Sequence, residues 1–321
     1  MRSYLDGQRH RRTMLAGVLA LAALLTACGG GASSTGSTTV RFGVFSWNAA
    51  SITSHILARI AKENPQLGVE KVEFKKLSTS MGWVGLEGGE VDVLAEVAWP
   101  NQKPLYQKYK EETALLSETY NKAAQGWFVP SYVVQQGGAA PQLESVTQLD
   151  QHKKTFEGKL YDANAGWITT KWNTKRLKAY GLQYKHVTSS ESAMIAQVKS
   201  AFSDKQPVLF YLWHPHWVFA KYDLTQLEEA KPYKKGCFDK ASMGPCAMPD
   251  YSAKVAARKD LQDKAPKFYA FLKQFELDVP VLEKMLAKTR GEKHSPKEVA
   301  KQWVTSHQSK IESWVNASTK S

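Results

Sequence analysis

The sequence predicts an α/β fold built as two lobes, each a parallel-rich sheet flanked by helices, with a ligand cleft between them. Three observations carry this. A β-α-β-α-β alternation runs from Val40 to Ala98, a second α/β unit runs from Thr155 to Trp213, and tryptophans stand at the strand ends of both. Strands alternating with helices build parallel sheets, and ligands of such sheets lie beyond the carboxyl ends of the strands. At 321 residues the chain is long enough for two lobes behind an N-terminal segment.

That segment comes first. Arg9, Arg11 and Arg12 precede an apolar run from Met14 to Leu25, which closes in Leu25-Thr26-Ala27-Cys28. This is the pattern of a lipoprotein signal peptide over residues 1–27, cleaved before Cys28 and lipidated on its thiol. The run is shorter than the roughly 20 apolar residues that a membrane-spanning helix needs. Residues 28–39 then form a Gly/Ser/Thr-rich tether, of the composition that keeps a linker flexible. The expected location is extracytoplasmic, periplasmic or on the outer face of the cell membrane, held there by a lipid anchor.

Val40 to Phe45 reads as the first strand and delivers Trp47 and Asn48 to its end. Ser51 is placed to cap a helix in which Ile52, Ile56 and Ile60 share one face. A strand at Lys71–Lys75, a helix from Ser80 to Gly88 and a strand from Val91 to Ala98 follow, the last ending at Trp99-Pro100. In the second unit Thr155–Tyr161 reads as a strand, Asp162–Gly166 as a turn, Ile168–Tyr180 and Glu191–Asp204 as helices, and Pro207–Trp213 as a strand. Helical periodicity returns over Pro266–Phe275 and Ser295–Ala317, where Phe268, Phe271, Leu272 and Phe275 form a core stripe.

Charge excludes little. The formal net charge is +13, to which residues 1–27 contribute four arginines and Asp6. The lysines are spread and no nucleic-acid module is present, so the surface is read as solvated and basic, with no nucleic-acid partner. Cys237 and Cys246, with Gly236, Gly244 and Pro245 as turn formers, suit a small disulfide loop in an exported chain. Two cysteines without a nearby Cys/His pair make only half a zinc site.

The stretch Phe210-Tyr211-Leu212-Trp213-His214-Pro215-His216-Trp217-Val218-Phe219-Ala220-Lys221-Tyr222 concentrates aromatic and imidazole rings. A core would use Leu, Ile and Val, and a catalytic centre would set carboxylates or a nucleophile beside the histidines. A quaternary ammonium donates no hydrogen bond, so a protein holds it against the negative faces of aromatic rings. Tryptophans at the strand ends of two lobes suit that ligand.

Several stretches resemble one family in the same order: Gly88-Gly89-Glu90-Val91-Asp92-Val93 with Ala98-Trp99, Ala124-Gln125-Gly126-Trp127, Ser189-Ser190-Glu191-Ser192-Ala193-Met194, and above all Trp213 to Leu224. The family is that of the glycine betaine-binding proteins of ABC transporters. The resemblance implies a bilobal, type II periplasmic-binding-protein (Venus flytrap) fold that closes on glycine betaine or a similar quaternary ammonium. Carried over, it makes Trp47, Trp99 and Trp213 the aromatic cage, with the Trp167 ring as a fourth wall and the backbone at Gly166 and Trp167 gripping the carboxylate. The lobes would be residues 40–127 with 236–321, and residues 128–235, hinged near Gln125–Val129 and Leu224–Lys235. A permease with its ATPase would be the partner, the protein would be a monomer, and no cofactor or metal is implied.

One departure concerns the polar end. The family often carries a histidine shortly after the tryptophan matching Trp99, whereas this chain reads Trp99-Pro100-Asn101-Gln102-Lys103-Pro104, leaving Gln102 or Lys103 to take its place. Choline, carnitine and other methylated amines therefore stay open as ligands. Glu96, three residues before Trp99, is either a solvent-facing strand residue, the favoured reading, or an acid selecting a cation that lacks a carboxylate. His214 and His216 are read as support for Trp213 rather than as metal ligands. Trp83, Trp217, Trp303 and Trp314 are assigned to the core, and Trp172 to a hinge or surface contact. A sensor or receptor could use the same cage. An exported hydrolase acting on a choline-containing substrate lacks its machinery here, for the chain has no G-x-S-x-G, H-E-x-x-H or P-loop.

Overall fold

The computed structural model describes residues 38–234, 245–291 and 294–320. The signal segment, Cys28, the tether up to residue 37 and Cys237 lie outside the described residues.

Two five-stranded sheets organise the chain. The first half of the sequence supplies β1 (Thr39–Val44), α1 (Asn48–Glu63), β2 (Lys71–Lys76), α2 (Thr79–Glu87), β3 (Val93–Trp99), α3 (Lys103–Tyr109) and β4 (Thr113–Ala123). Next come β5 (Gln125–Pro130), α4 (Ser131–Val134), β6 (Lys159–Asp162), α5 (Ile168–Ala179), β7 (Lys185–Thr188), α6 (Glu191–Ser203), β8 (Phe210–Trp213) and β9 (Leu224–Gln226). The chain ends with β10 (Tyr251–Arg258), α7 (Leu261–Lys264), α8 (Pro266–Leu272), α9 (Val279–Gly291), α10 (Pro296–Ser306) and α11 (Gln308–Thr319).

Strand order is β2-β1-β3-β10-β4 in one sheet and β7-β6-β8-β5-β9 in the other. Both sheets are mixed, each with a parallel half and an antiparallel half. In the first, β1 pairs parallel with β2 and β3, while β10 pairs antiparallel with β3 and β4. In the second, β6 pairs parallel with β7 and β8, while β5 pairs antiparallel with β8 and β9. The antiparallel half comes from strands that the sequence reading passed over. β4, Thr-Ala-Leu-Leu-Ser-Glu-Thr-Tyr-Asn-Lys-Ala, carries too many polar residues for a clear period of two. The stretch expected as a crossover, Gln125–Val129, is instead the fully buried strand β5. Sheet membership changes at Ala124, between β4 and β5.

The helices follow their patterns. Ile52, Ile56 and Ile60 are fully buried on α1, which packs on β3 and α10. Ser51 lies inside that helix, which begins at Asn48 with Trp47 in the N-cap position and no side-chain cap, so tertiary contacts at Trp47 and Asn48 replace the expected local cap. The stretch Ser295–Ala317 breaks into α10 and α11 at His307, and Ser295 forms a capping box with Glu298. Trp83, Trp217, Trp303 and Trp314 are buried as assigned. Trp172 is buried too, at 7 % exposure, and belongs to the core rather than to a hinge or surface contact. Among the described residues no helix is long and apolar enough to cross a membrane.

Candidate functional site

The strand ends of both sheets converge on one cavity with about 60 Å³ of room for the centres of water-sized molecules. One water needs roughly 10–15 Å³ on that measure, so a small organic group fits. Trp47, just past β1, Trp167, at the N-cap of α5, and Trp213, the last residue of β8, form three of its walls. Trp47 and Trp167 meet edge to face, with ring centroids 5.5 Å apart at 86°, and Trp167 meets Trp213 at 5.2 Å and 74°. Successive rings at right angles make adjacent sides of a box rather than a stack.

Two of the walls are backed. Phe45 stacks on Trp47 at 4.7 Å, and it fits there because Gly82 of α2 has no side chain: a Cβ at Gly82 would stand 2.5 Å from Phe45 Cε1. Tyr211 stacks on Trp213 at 5.6 Å, and the His216 ring meets Trp213 edge to face at 5.3 Å. His216 Nδ1 accepts from the Val218 amide, so its other nitrogen, Nε2, is the one that donates to Glu191 Oε1 at 3.3 Å. The Glu191 oxygen also accepts from Asn48 Nδ2 at 3.0 Å, which ties α1 to α6 beside the cavity. His214 faces elsewhere, stacked on Phe219 and joined through Nδ1 to Glu283 at 2.7 Å. The two histidines therefore diverge, one toward Glu283 and one toward Glu191.

The polar lining includes an acid. Glu96 on β3 is 3 % exposed and borders the cavity, so the solvent-facing reading of this residue is corrected. Its strand is central in the sheet and covered on both faces, which the local pattern did not disclose. Tyr120 Oη donates to Glu96 Oε1 at 2.5 Å, Thr53 Oγ1 donates to Oε2 at 3.3 Å, and the Trp47 side chain adds a further hydrogen bond. Burial pushes the Glu96 carboxyl up to about 7; the hydrogen bonds from Tyr120, Trp47 and Thr53 pull the other way, and the charge of Glu191 adds to the rise. Gln125 is held by four hydrogen bonds, accepting from Tyr211 and Asn101 and donating to Asn101 and the Pro249 carbonyl. Among the described residues that line the cavity there is no lysine, arginine or histidine.

The remaining expected site residues separate. Trp99 does not line the cavity; its ring packs on Tyr106 at 5.8 Å. It follows Ala98 on β3, and successive strand residues face opposite ways, so when Ala98 borders the cavity Trp99 turns from it. Lys103 is exposed at the start of α3 and also stays outside. Gln102 does line the cavity, with its Oε1 accepting from Trp83 Nε1 at 2.8 Å. Gly166 lies on a wider cleft of about 610 Å³ that shares Trp47 and Trp167 with the cavity. The amides expected to grip a carboxylate are engaged inside their own turn: Gly166 N–H donates to Asn164 Oδ1 at 2.8 Å and Trp167 N–H to the Asn164 carbonyl at 2.9 Å.

The next residues were missed. Ile168 and Thr169 border the cavity in the first turn of α5, a helix whose N-cap makes no side-chain hydrogen bond. The first N–H groups of a helix have no partner within it and attract anions. The turn Asp162–Gly166 leading into a helix was the available signal; it pointed two residues too early.

A two-sheet α/β chain with an aromatic cavity where the strands of both sheets end is the architecture of a bilobal solute-binding protein. Residues 38–306 match the family model described as the substrate binding domain of ABC-type glycine betaine transport systems, and the chain belongs to that family. It is 27% identical over 158 residues to the glycine betaine/carnitine transport binding protein GbuC of Listeria monocytogenes, a match spanning 48% of this chain and 47% of that relative. The fold is similar to lactococcal OpuAC in its closed-liganded conformation complexed with glycine betaine, with TM-score 0.72, 24% identity, and 87% of this chain and 99% of that one covered. It is also similar to an ABC-transporter choline binding protein in complex with choline, with TM-score 0.71, 20% identity, and 87% and 91% covered. The family is one of substrate-binding proteins, so the chain is a binding protein and not an enzyme.

Proposed function

We propose that the protein captures glycine betaine or a related quaternary ammonium solute and delivers it to an ABC permease. The observation that carries this reading is the meeting of Trp47, Trp167 and Trp213, drawn from both sheets, around one cavity. Each desolvated cation–π contact contributes up to about 2 kcal/mol, so three walls supply roughly 6 kcal/mol. Micromolar affinity needs about 8 kcal/mol. A carboxylate accepting from the first-turn amides of α5 adds roughly 2 kcal/mol and closes the difference. Because Trp47 follows a strand of one sheet and Trp167 a strand of the other, a ligand between them favours closure of the lobes over opening, and the closed form is what a permease would read. Anchorage through a lipid on Cys28 outside the cytoplasm, as a monomer, completes the reading.

A second ligand class has an observation of its own: a buried acid, Glu96, and no basic side chain among the described lining residues suit a cation such as choline. Calorimetric titration of the chain lacking residues 1–28 with glycine betaine, choline and carnitine tests the proposal. Micromolar binding of at least one is expected. Silence toward every methylated ammonium would overturn it.

A further inference from the structure

Glu96 carries more than the cage requires. Its carboxyl borders the space enclosed by the three indoles, is shielded from water, and is held by donors from three separate elements: Tyr120 on β4, Thr53 on α1 and Trp47 after β1. This set fixes the carboxyl in place whichever charge it carries. A ligand headgroup in the box would lie against it with little water between, so the charge is felt strongly.

We propose that the charge state of Glu96 selects the ligand: as a carboxylate it favours a quaternary ammonium that has no anionic group, such as choline, and as a neutral acid it admits a zwitterion, such as glycine betaine. The inference rests on the reading that this cavity takes a quaternary ammonium. The ionised acid attracts the ammonium of either ligand, but in a zwitterion the carboxylate offsets part of that attraction, so the simple cation gains more from it. Protonation removes both effects together. Choline binding below neutrality therefore releases a proton from Glu96 to solvent, and glycine betaine binding releases less. Burial already holds the carboxyl near neutrality, so a modest ligand field shifts it.

Tyr120 and Tyr251 are raised well above their ordinary values, chiefly by burial and then by the Glu96 charge, and stay neutral throughout. Glu191 approaches from α6, joined to His216 and Asn48. These groups are distinct from Glu96, so substitution at Glu96 isolates its part.

The test is calorimetric titration of choline and glycine betaine at about pH 5.5 and about pH 8.5, either side of the Glu96 transition, in buffers of contrasting ionisation enthalpy. In the unsubstituted protein the ratio of choline to betaine affinity is expected to rise at least about tenfold from the acid to the alkaline condition. Choline binding on the acid side is expected to release protons. Glu96→Gln is expected to hold the ratio flat, near its acid value. A pH-independent ratio with both ligands bound would overturn the role of Glu96 alone. A ratio that still moves in a folded Gln variant would overturn the assignment to Glu96. Binding of neither ligand at either pH would overturn the quaternary-ammonium reading and this inference with it. If Glu96→Gln fails to fold, a flat ratio in the unsubstituted protein still overturns the proposal, and Glu96→Asp, expected to keep a moving ratio at a shifted midpoint, serves as the second variant.

Discussion

Trp167→Ala and Trp99→Ala, taken together, discriminate between the cage the sequence suggests and the cavity the fold builds. Trp167 is the middle wall, in edge-to-face contact with Trp47 at 5.5 Å and with Trp213 at 5.2 Å. Removing its indole takes away one cation–π face, worth about 2 kcal/mol, and so weakens binding about 30-fold. It also removes two aromatic contacts, each worth about 0.5–1.5 kcal/mol, from a ring that is only half-buried. A domain of ordinary stability, about 5–15 kcal/mol, stays folded after that loss. The Trp99 ring faces Tyr106 instead, so Trp99→Ala is expected to leave affinity within about threefold and to lower stability by about 1 kcal/mol. Titration of whichever methylated ammonium binds the unsubstituted protein, alongside urea unfolding of both variants, reads the two effects separately. Full affinity in Trp167→Ala, or loss of binding in a folded Trp99→Ala, would refute the geometry.

Three further outcomes follow from the same structure. Gly82→Ala places a methyl group 2.5 Å from Phe45 Cε1 and displaces the ring that backs Trp47; affinity should fall about three- to tenfold with the melting temperature little changed. The Glu96 carboxyl is raised from 4.5 to about 7, so the unfolded chain ionises first as pH rises; stability is full below about pH 4.5 and falls by up to about 3 kcal/mol as pH passes through 7. Urea midpoints across that window should show the fall, and Glu96→Gln should remove it. Arg176 is fully buried, lies over the Trp127 ring at 4.3 Å and pairs with Glu229, so Arg176→Met should cost about 3 kcal/mol in chemical unfolding by leaving the Glu229 charge with the Tyr180 hydroxyl but no cation.

Much of the fold was legible because periodicity is local. Ile52, Ile56 and Ile60 announce a buried helix face, and Val40 to Phe45 a strand, wherever they end up packing. The helices Ile168–Ala179 and Glu191–Ser203 begin where the sequence puts them, since Ser190 and the turn before Trp167 are local signals. β4, β5 and β10 were not legible. Their antiparallel pairing joins residues far apart in the chain, as when Ala253 meets Tyr120, and no window of sequence contains both partners.

The site divides along the same line. Sequence by itself determined that tryptophans stand at strand ends, that the family motif around Trp213 is present, and that no histidine follows Trp99. Tertiary structure alone decided which indoles face one another, because facing depends on strand phase and on which strands become neighbours: Trp47, Trp167 and Trp213 converge while Trp99 turns to Tyr106. It also decided that Glu96 is enclosed rather than solvated, since burial of a carboxyl is set by the sheet and helix laid over it, and that enclosure is the physical source of its raised affinity for a proton.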